Sequence, residues 1–221
     1  MLSTAEAIAR RRAVRAFLPD EIPQAVLERL FGQAQLAPSN CNTQPWIVHV
    51  GSGAPLRTLR ERLLAAGADP RQYRPDFAFD GKYTGVYRER QHDAAARLYA
   101  AMRIGREDRA ARAEAGLRNY AMFDAPHAAF VFLPEPFGAR EAVDCGMYAQ
   151  NLMLLLTAEG YASCPQAALS FHPDIVRELL GVPAEHRLLF GISFGREDPQ
   201  APANACRTPR AALADAVRFH R

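Results

Sequence analysis

The chain has 221 residues, of which 49% are apolar and 23% are charged, and these ordinary globular proportions argue against an intrinsically disordered protein. The net charge of +3 is too small to suggest a nucleic-acid-binding protein. Lys82 is the one lysine, and the other basic residues are all arginines. Genomic composition explains such a bias, and so do sites that bind phosphate or carboxylate, because the guanidinium fork suits both groups.

Hydrophobic periodicity and turn residues predict an alternation of helices and strands along the chain. In chain order we expect a helix from a Thr4 cap to about Arg12, a helix from Pro23 to Pro38, a strand over 46–50, a helix over 55–66, exposed helices near 88–103 and 106–122, a strand over 127–133, a buried helix over 142–159, a short strand over 161–164, a helix near 173–180 and a strand over 188–194. This order predicts one layered α/β domain over residues 1–221.

Two segments differ from this core. Residues 68–122 are rich in tyrosine and charge, and the part from Lys82 to Arg118 holds nine basic and five acidic residues, a local net charge of +4. We interpret the segment as a lid over the core, although a solvated helical hairpin explains the same composition. The tail over 199–221 is rich in proline, which predicts an extended segment of the kind that packs on a partner subunit.

Several common kinds of site lack their sequence patterns. There is no GxGxxG or P-loop motif for a nucleotide and no GxSxG motif for a hydrolase, and the six histidines lack metal-ligand spacing, so we expect no metal site. The four cysteines form no CxxC pair, which predicts reduced thiols and a cytoplasmic protein. No apolar run is long enough to span a membrane. Flavin chemistry remains open, because a flavin brings its own reactivity.

Four short segments are candidates for a binding site. Arg11, Arg12 and Arg15 are dense enough to hold a phosphate, although cations also suit the end of a helix. The polar run Ala37 to Trp46 is either a loop that presents donors and acceptors to a planar ring or a connector that bonds its own backbone. Ser163 to Ser170 offers backbone N–H groups beside small side chains, and Asn204 to Arg207 adds one arginine.

Taken together, these segments resemble the nitroreductase family of bacterial FMN-dependent reductases. The resemblance lies in Arg11-Arg12-Ala13-Val14-Arg15-Ala16-Phe17, in the box Ala37-Pro38-Ser39-Asn40-Cys41-Asn42-Thr43-Gln44-Pro45-Trp46, in Gly160 to Ala168, and in Gly195 to Pro199 followed by Arg207. They occur in the family's order and cover nearly the whole chain. The lid resembles the branch that includes nitrobenzoate and related nitroarene reductases.

The resemblance implies an α+β three-layer sandwich with a central, mainly antiparallel sheet, a long buried helix, a helical lid insertion and a domain-swapped C-terminal tail. It implies a homodimer with FMN at the subunit interface. Arg11, Arg15 and Arg207 would hold the phosphate, Arg12 the ribityl chain or ring edge, and Ser39 and Asn42 would come from the other subunit, with Asn40 as a further contact. The remaining expected flavin contacts are Ala13, Pro165, Gln166, Ala167 and Ala168.

The implied activity is a ping-pong, two-electron reduction of small nitroaromatic compounds to nitroso and hydroxylamine products, with NADPH or NADH as donor. No side chain need act as a nucleophile, and we expect Tyr83, Tyr87 and Phe123 to stack on the acceptor. Two departures from the family pattern, Ala13 for a serine and Ala167-Ala168 for Glu-Gly, leave backbone groups to serve the flavin. Quinones, enones or halophenols as the true acceptors, and non-catalytic FMN storage or sensing, remain alternatives.

Overall fold

The computed structural model describes residues 2–78 and 81–221. The helices are α1 (Thr4–Arg10), α2 (Gln24–Ala34), α3 (Gly53–Gly67), α4 (Gly85–Ala101), α5 (Arg109–Leu117), α6 (Ala139–Ala158), α7 (Pro173–Leu180) and α8 (Leu213–Ala216). The strands are β1 (Ile47–Ser52), β2 (His127–Pro134), β3 (Ala162–Gln166) and β4 (His186–Gly195). The predicted order of elements is therefore confirmed, with shifts of a few residues at the boundaries.

The four strands form one open sheet in the order β1-β2-β4-β3, and every neighbouring pair is antiparallel. This confirms the mainly antiparallel sheet that the family resemblance implied. The central strand β2 is buried along nearly its whole length, because helices cover both faces of the sheet. Its side chains alternate between the two faces and so contribute to two separate cores.

One core lies between the sheet and the helices α2 and α6, where Ala129, Val131 and Leu133 of β2 point. The other lies between the sheet and the helices α3 and α7, where Phe130 and Phe132 point. The resulting order of helices, sheet and helices confirms the three-layer sandwich. In this arrangement the outer edge of strand β3 lies beside the segment that follows α1, which carries the arginine cluster.

Helix α1 begins one residue earlier than expected. Ser3, and not Thr4, is the N-cap: its hydroxyl accepts from the Glu6 N–H, and the Glu6 carboxylate accepts from the Ser3 N–H at 2.8 Å. This reciprocal pair is a capping box, which satisfies two of the free donors at the start of a helix. Helix α1 ends at Arg10, so Arg11 and the clustered arginines that directly follow it have a non-helical backbone.

The lid predicted over 68–122 contains α4 and α5, and Phe79 and Asp80 of that segment lie outside the described residues. No residue of α4 or α5, helices that the structure describes completely, is fully buried. Helix α4 packs against the short turn Pro202–Ala205 of the tail. The tail contains two short helical turns, Pro202–Ala205 and α8, and its prolines did not indicate either of them.

A buried histidine joins the N-terminal segment to the sheet. The Ile22 N–H donates to His127 Nε2 at 2.8 Å, so that nitrogen carries no proton, and Nδ1 lies 2.6 Å from the Ser52 hydroxyl. Burial lowers the pKa of His127, and it also lowers the pKa values of His49 and His172. The folded protein therefore binds fewer protons than the unfolded chain in mildly acidic solution.

We expect the free energy of unfolding to be at its full value above pH ~6.5, the ordinary histidine pKa, and to fall as the pH drops below it. Urea unfolding between pH 8 and pH 5 measures this dependence. In His127→Gln the amide oxygen can still accept from Ile22 but does not titrate, so the decline should be shallower. An equal decline in both proteins would contradict the role assigned to His127.

Candidate functional site

The basic segment after α1 is held between two distant parts of the chain. Ala13 forms a parallel bridge with Ser163 of β3, and the Val14 N–H donates to the Ser163 carbonyl at 3.1 Å. A few residues later, Phe17 forms an antiparallel bridge with Glu197. These two isolated bridges fix the backbone of the segment beside the edge strand β3, and its arginines project from that fixed backbone.

Arginines from both ends of the chain meet in one cleft of about 670 Å³. The arginines that line it are Arg10, Arg11, Arg12, Arg15, Arg207 and Arg210. Four of them, Arg11, Arg12, Arg15 and Arg207, were expected from the sequence to share a site, and the structure brings them together. Arg210 was not predicted, although its position three residues after Arg207 was a usable signal.

The positive charge in this cleft is only partly neutralised. Arg12 forms an ion pair with Glu197, but no carboxylate pairs with Arg11 within residues 2–78 and 81–221. Burial lowers the pKa of Arg11, and the nearby charge of Arg210 lowers it further. Crowded guanidinium groups without a counter-charge fit an anion with several acceptor oxygens, such as a phosphate.

Asn204 fixes the tail beside this cleft. Its side-chain oxygen accepts from the Arg15 N–H at 2.7 Å, and its amide nitrogen donates to the carbonyls of Ala16 and Asp198 at 2.9 Å each. The residue is buried. Its carbonyl in turn accepts from Arg207 at 2.7 Å. In the sequence the segment Asn204 to Arg207 was a candidate because of Arg207, whereas in the structure Asn204 is the residue that docks the tail.

Strand β3 presents a partly free edge next to the arginines. In an antiparallel strand, successive residues direct their backbone groups to opposite edges. The Ser163 carbonyl points away from β4, so the backbone groups of Pro165 and Ala167 are directed the same way. Proline has no N–H, which makes Ala167 the next residue able to donate from this edge. Pro165 and Ala167 are exposed and Ala168 is half-buried, whereas the Gln166 side chain points into the interior.

Cys164 lies beside the same arginines but is not activated. Burial raises the pKa of its thiol to about 11, although the charges of Arg15 and Arg11 oppose the increase. The group is therefore a neutral thiol near pH 7. It acts as a small buried side chain and not as a nucleophile.

The polar loop before β1 is held in shape by its own backbone. The Ser39 hydroxyl accepts from the Gln44 N–H at 2.9 Å, and the Asn40 N–H donates to the buried Asp144 carboxylate at 3.1 Å. Cys41, Asn42 and Gln44 have positive φ angles. The structure is compatible with both interpretations of this loop, the self-bonded connector and the loop that presents donors and acceptors, because it bonds its own backbone and also exposes polar side chains. Ser39, Asn40 and Asn42 do not line the arginine cleft of the same chain.

The three aromatic residues expected to contact an acceptor differ in their surroundings. Tyr83 and Tyr87 are exposed at the start of α4. Phe123 is buried in a small cluster with Val14, Phe17 and Cys164, so it offers no free ring face. Met122, Phe123 and Asp124 all have positive φ, at a cost on the order of 1–3 kcal/mol for each residue.

A family model described as the nitroreductase family matches residues 8–196. The chain belongs to the nitroreductase family. Among curated nitroreductases, NfnB of Mycolicibacterium smegmatis is 48% identical, over 96% of this chain and 90% of its own length. The 4-nitrobenzoate reductase of Pseudomonas putida is 33% identical, over 92% of this chain and 89% of its own length.

The fold of this nitroreductase agrees with a crystal structure of a relative. The structure of the FMN-dependent nitroreductase NfnB from Mycobacterium smegmatis in complex with NADPH matches with a TM-score of 0.92. The match has 46% identity and covers 99% of this chain and 100% of the other. Among the described residues of the present protein, no helix has both the length and the apolar character needed to cross a membrane.

Proposed function

We propose that this protein is an FMN-containing nitroreductase that uses NADPH or NADH to reduce small nitroaromatic compounds in two-electron, ping-pong steps. The observation that carries the proposal is the cleft of incompletely neutralised arginines beside the free edge of β3. The FMN dependence of NfnB and the name of the 4-nitrobenzoate reductase support the same activity. When bound, FMN supplies the acceptance and release of hydride.

The residues present fit FMN. We assign the phosphate to Arg11, Arg15 and Arg207, because these guanidinium groups face one cleft and Arg11 lacks an acidic partner in the described chain. Arg12, whose charge is neutralised by the ion pair with Glu197, would lie at the ribityl chain or ring edge. Ala13 contributes backbone only, and Pro165 to Ala168 would run along the ring, with the Ala167 N–H as the outward donor.

We further propose a homodimer in the cytoplasm. Leu36 is 83% exposed, and it lines one apolar cleft with Leu154 and Leu155 of α6, a surface that a second subunit would cover. Phe219 in the tail is 74% exposed and would pack on the partner. The Ser39 to Asn42 loop, which lies outside its own chain's cleft, would reach the partner's FMN. Light scattering that shows a monomer would reject this arrangement.

The lid charge leads to a prediction about acceptors. Tyr83 and Tyr87 would stack on the acceptor. The net charge of +4 on the segment from Lys82 to Arg118 should attract anions over a Debye length of about 8 Å at physiological salt. We expect kcat/KM for 4-nitrobenzoate to exceed that for 4-nitrobenzamide at low salt. The difference should shrink as salt is added. An equal or smaller value for the acid at low salt would contradict the steering role.

The activity itself is tested on the purified yellow protein without oxygen. Rapid bleaching of the bound flavin by NADPH or NADH, followed by reoxidation with a nitroaromatic acceptor, is the expected result. Product analysis should show hydroxylamine. Absence of bleaching within minutes would indicate FMN storage or sensing. Faster turnover of quinones, enones or halophenols than of nitro compounds would assign the enzyme to those acceptors instead.

A further inference from the structure

Gln166 belongs to the segment assigned to the flavin ring, yet its side chain does not face that site. The residue is buried, and so is Ser193 of the neighbouring strand β4. Successive side chains of a strand point to opposite faces of the sheet. Gln166, the last residue of β3, therefore points into the interior, while its neighbours Pro165 and Ala167 are exposed. A buried primary amide has two donors and an acceptor that need partners.

The amide group is fully engaged, and its contacts determine its orientation. The Gln166 Nε2 donates to the Asn119 backbone carbonyl at 2.9 Å and lies 3.3 Å from the Asn119 side-chain oxygen. A backbone carbonyl can only accept, so the nitrogen must face Asn119. The Gln166 oxygen then accepts from the Ser193 hydroxyl, which lies across the strand pair.

Asn119 is the point where the lid rejoins the core. It lies two residues after the end of α5, and its side chain donates back to the Gly116 carbonyl at 3.0 Å. Its own carbonyl also accepts from the Met122 N–H at 3.0 Å, at the start of the turn with positive φ angles. One buried amide therefore connects the flavin-facing segment, the central sheet and the end of the last lid helix.

We propose that Gln166 is a positioning residue that holds the end of α5 against the flavin-facing segment and thereby sets how tightly substrates are held under the lid. The inference rests on the proposed function for its kinetic part. Its structural part does not depend on activity, because the connection between Gln166 and α5 can be measured in a protein without turnover.

Gln166→Met keeps the length of the side chain and removes every hydrogen bond. We expect hydrogen exchange of the α5 amides to accelerate about three- to tenfold, while the amides of β2 stay within twofold. The KM values for NADPH and for 4-nitrobenzoate should rise about three- to tenfold, by a larger factor than any change in kcat or in the Kd for FMN. A purely structural role would instead lower thermal stability and FMN content without this separation of KM from kcat.

Ser193→Ala retains Gln166 but removes the hydroxyl that donates to its amide oxygen. Hydrogen exchange of the α5 amides and the KM values should therefore increase by a smaller factor than in Gln166→Met. Gln200→Met, at an exposed glutamine after β4, is the matched control and should change none of them. Unchanged exchange in α5 of both Gln166→Met and Ser193→Ala would overturn the inference. Faster exchange with unchanged KM values would overturn the link to substrate binding. A wild-type protein without reductase activity would refute the proposed function, while α5 exchange would still test the contact.

Discussion

Arg15→Ala is expected to weaken FMN binding by about 10- to 100-fold and to leave riboflavin binding unchanged. Hydrogen bonds to charged groups contribute roughly 1.5–3 kcal/mol, and each 1.4 kcal/mol is about a tenfold change in affinity. The Arg15 backbone N–H, and not its side chain, holds Asn204, so the tail should stay docked in the variant. The loss should therefore depend on the phosphate, which riboflavin lacks.

Titration of apoprotein by flavin fluorescence measures both affinities. Arg15→Lys should fall between the wild type and Arg15→Ala, because an ammonium group retains the charge but cannot form the paired hydrogen bonds of a guanidinium group. Arg62→Ala is the control, since Arg62 forms an exposed pair with Glu178 far along the chain from the cleft residues. A parallel loss of FMN and riboflavin binding would place Arg15 elsewhere than at the phosphate.

Asp76→Ala is expected to lower the free energy of unfolding by about 3 kcal/mol, the lower end of the loss when one partner of a buried ion pair is removed, because Arg177 keeps a second carboxylate partner. The Asp76 carboxylate accepts from Arg177 at 2.7 and 3.1 Å and from the Leu188 N–H at 2.7 Å. Both charged side chains are only 15% exposed. Without the carboxylate, the Leu188 N–H loses its acceptor, and Arg177 keeps only the exposed Asp174 carboxylate and the His186 carbonyl.

Asp174→Ala is a control on the same arginine. Asp174 also pairs with Arg177 at 2.7 Å, but its side chain is 81% exposed, so its loss should cost less than about 1 kcal/mol. Urea unfolding at pH 7.5 measures both variants. Equal losses would show that burial of the Asp76 pair has no special effect. Because Asp76 lies before α4 and Asn119 lies after α5, these two anchors together connect both sides of the helical part of the lid to the core.

Local patterns in the sequence were sufficient for most of the helices and strands. The period of 3.6 predicted α2, the nearly uncharged apolar run predicted α6, and the short β-branched and aromatic runs predicted β1, β2 and β4, because such patterns are properties of each element alone. The arginine cluster and the polar box before Trp46 identified the family. The antiparallel order of the strands came from that resemblance, since connection lengths do not specify it.

Tertiary structure alone decided which way the site residues face. The burial of Phe123 and the inward amide of Gln166 depend on the N-terminal segment and on β4, each of which is distant in the sequence. The docking of the tail by Asn204 and the arrival of Arg210 in the cleft depend on contacts across almost the whole chain. Hydrogen bonds of this kind leave no periodic trace in the sequence, because each needs only one suitable residue at each end.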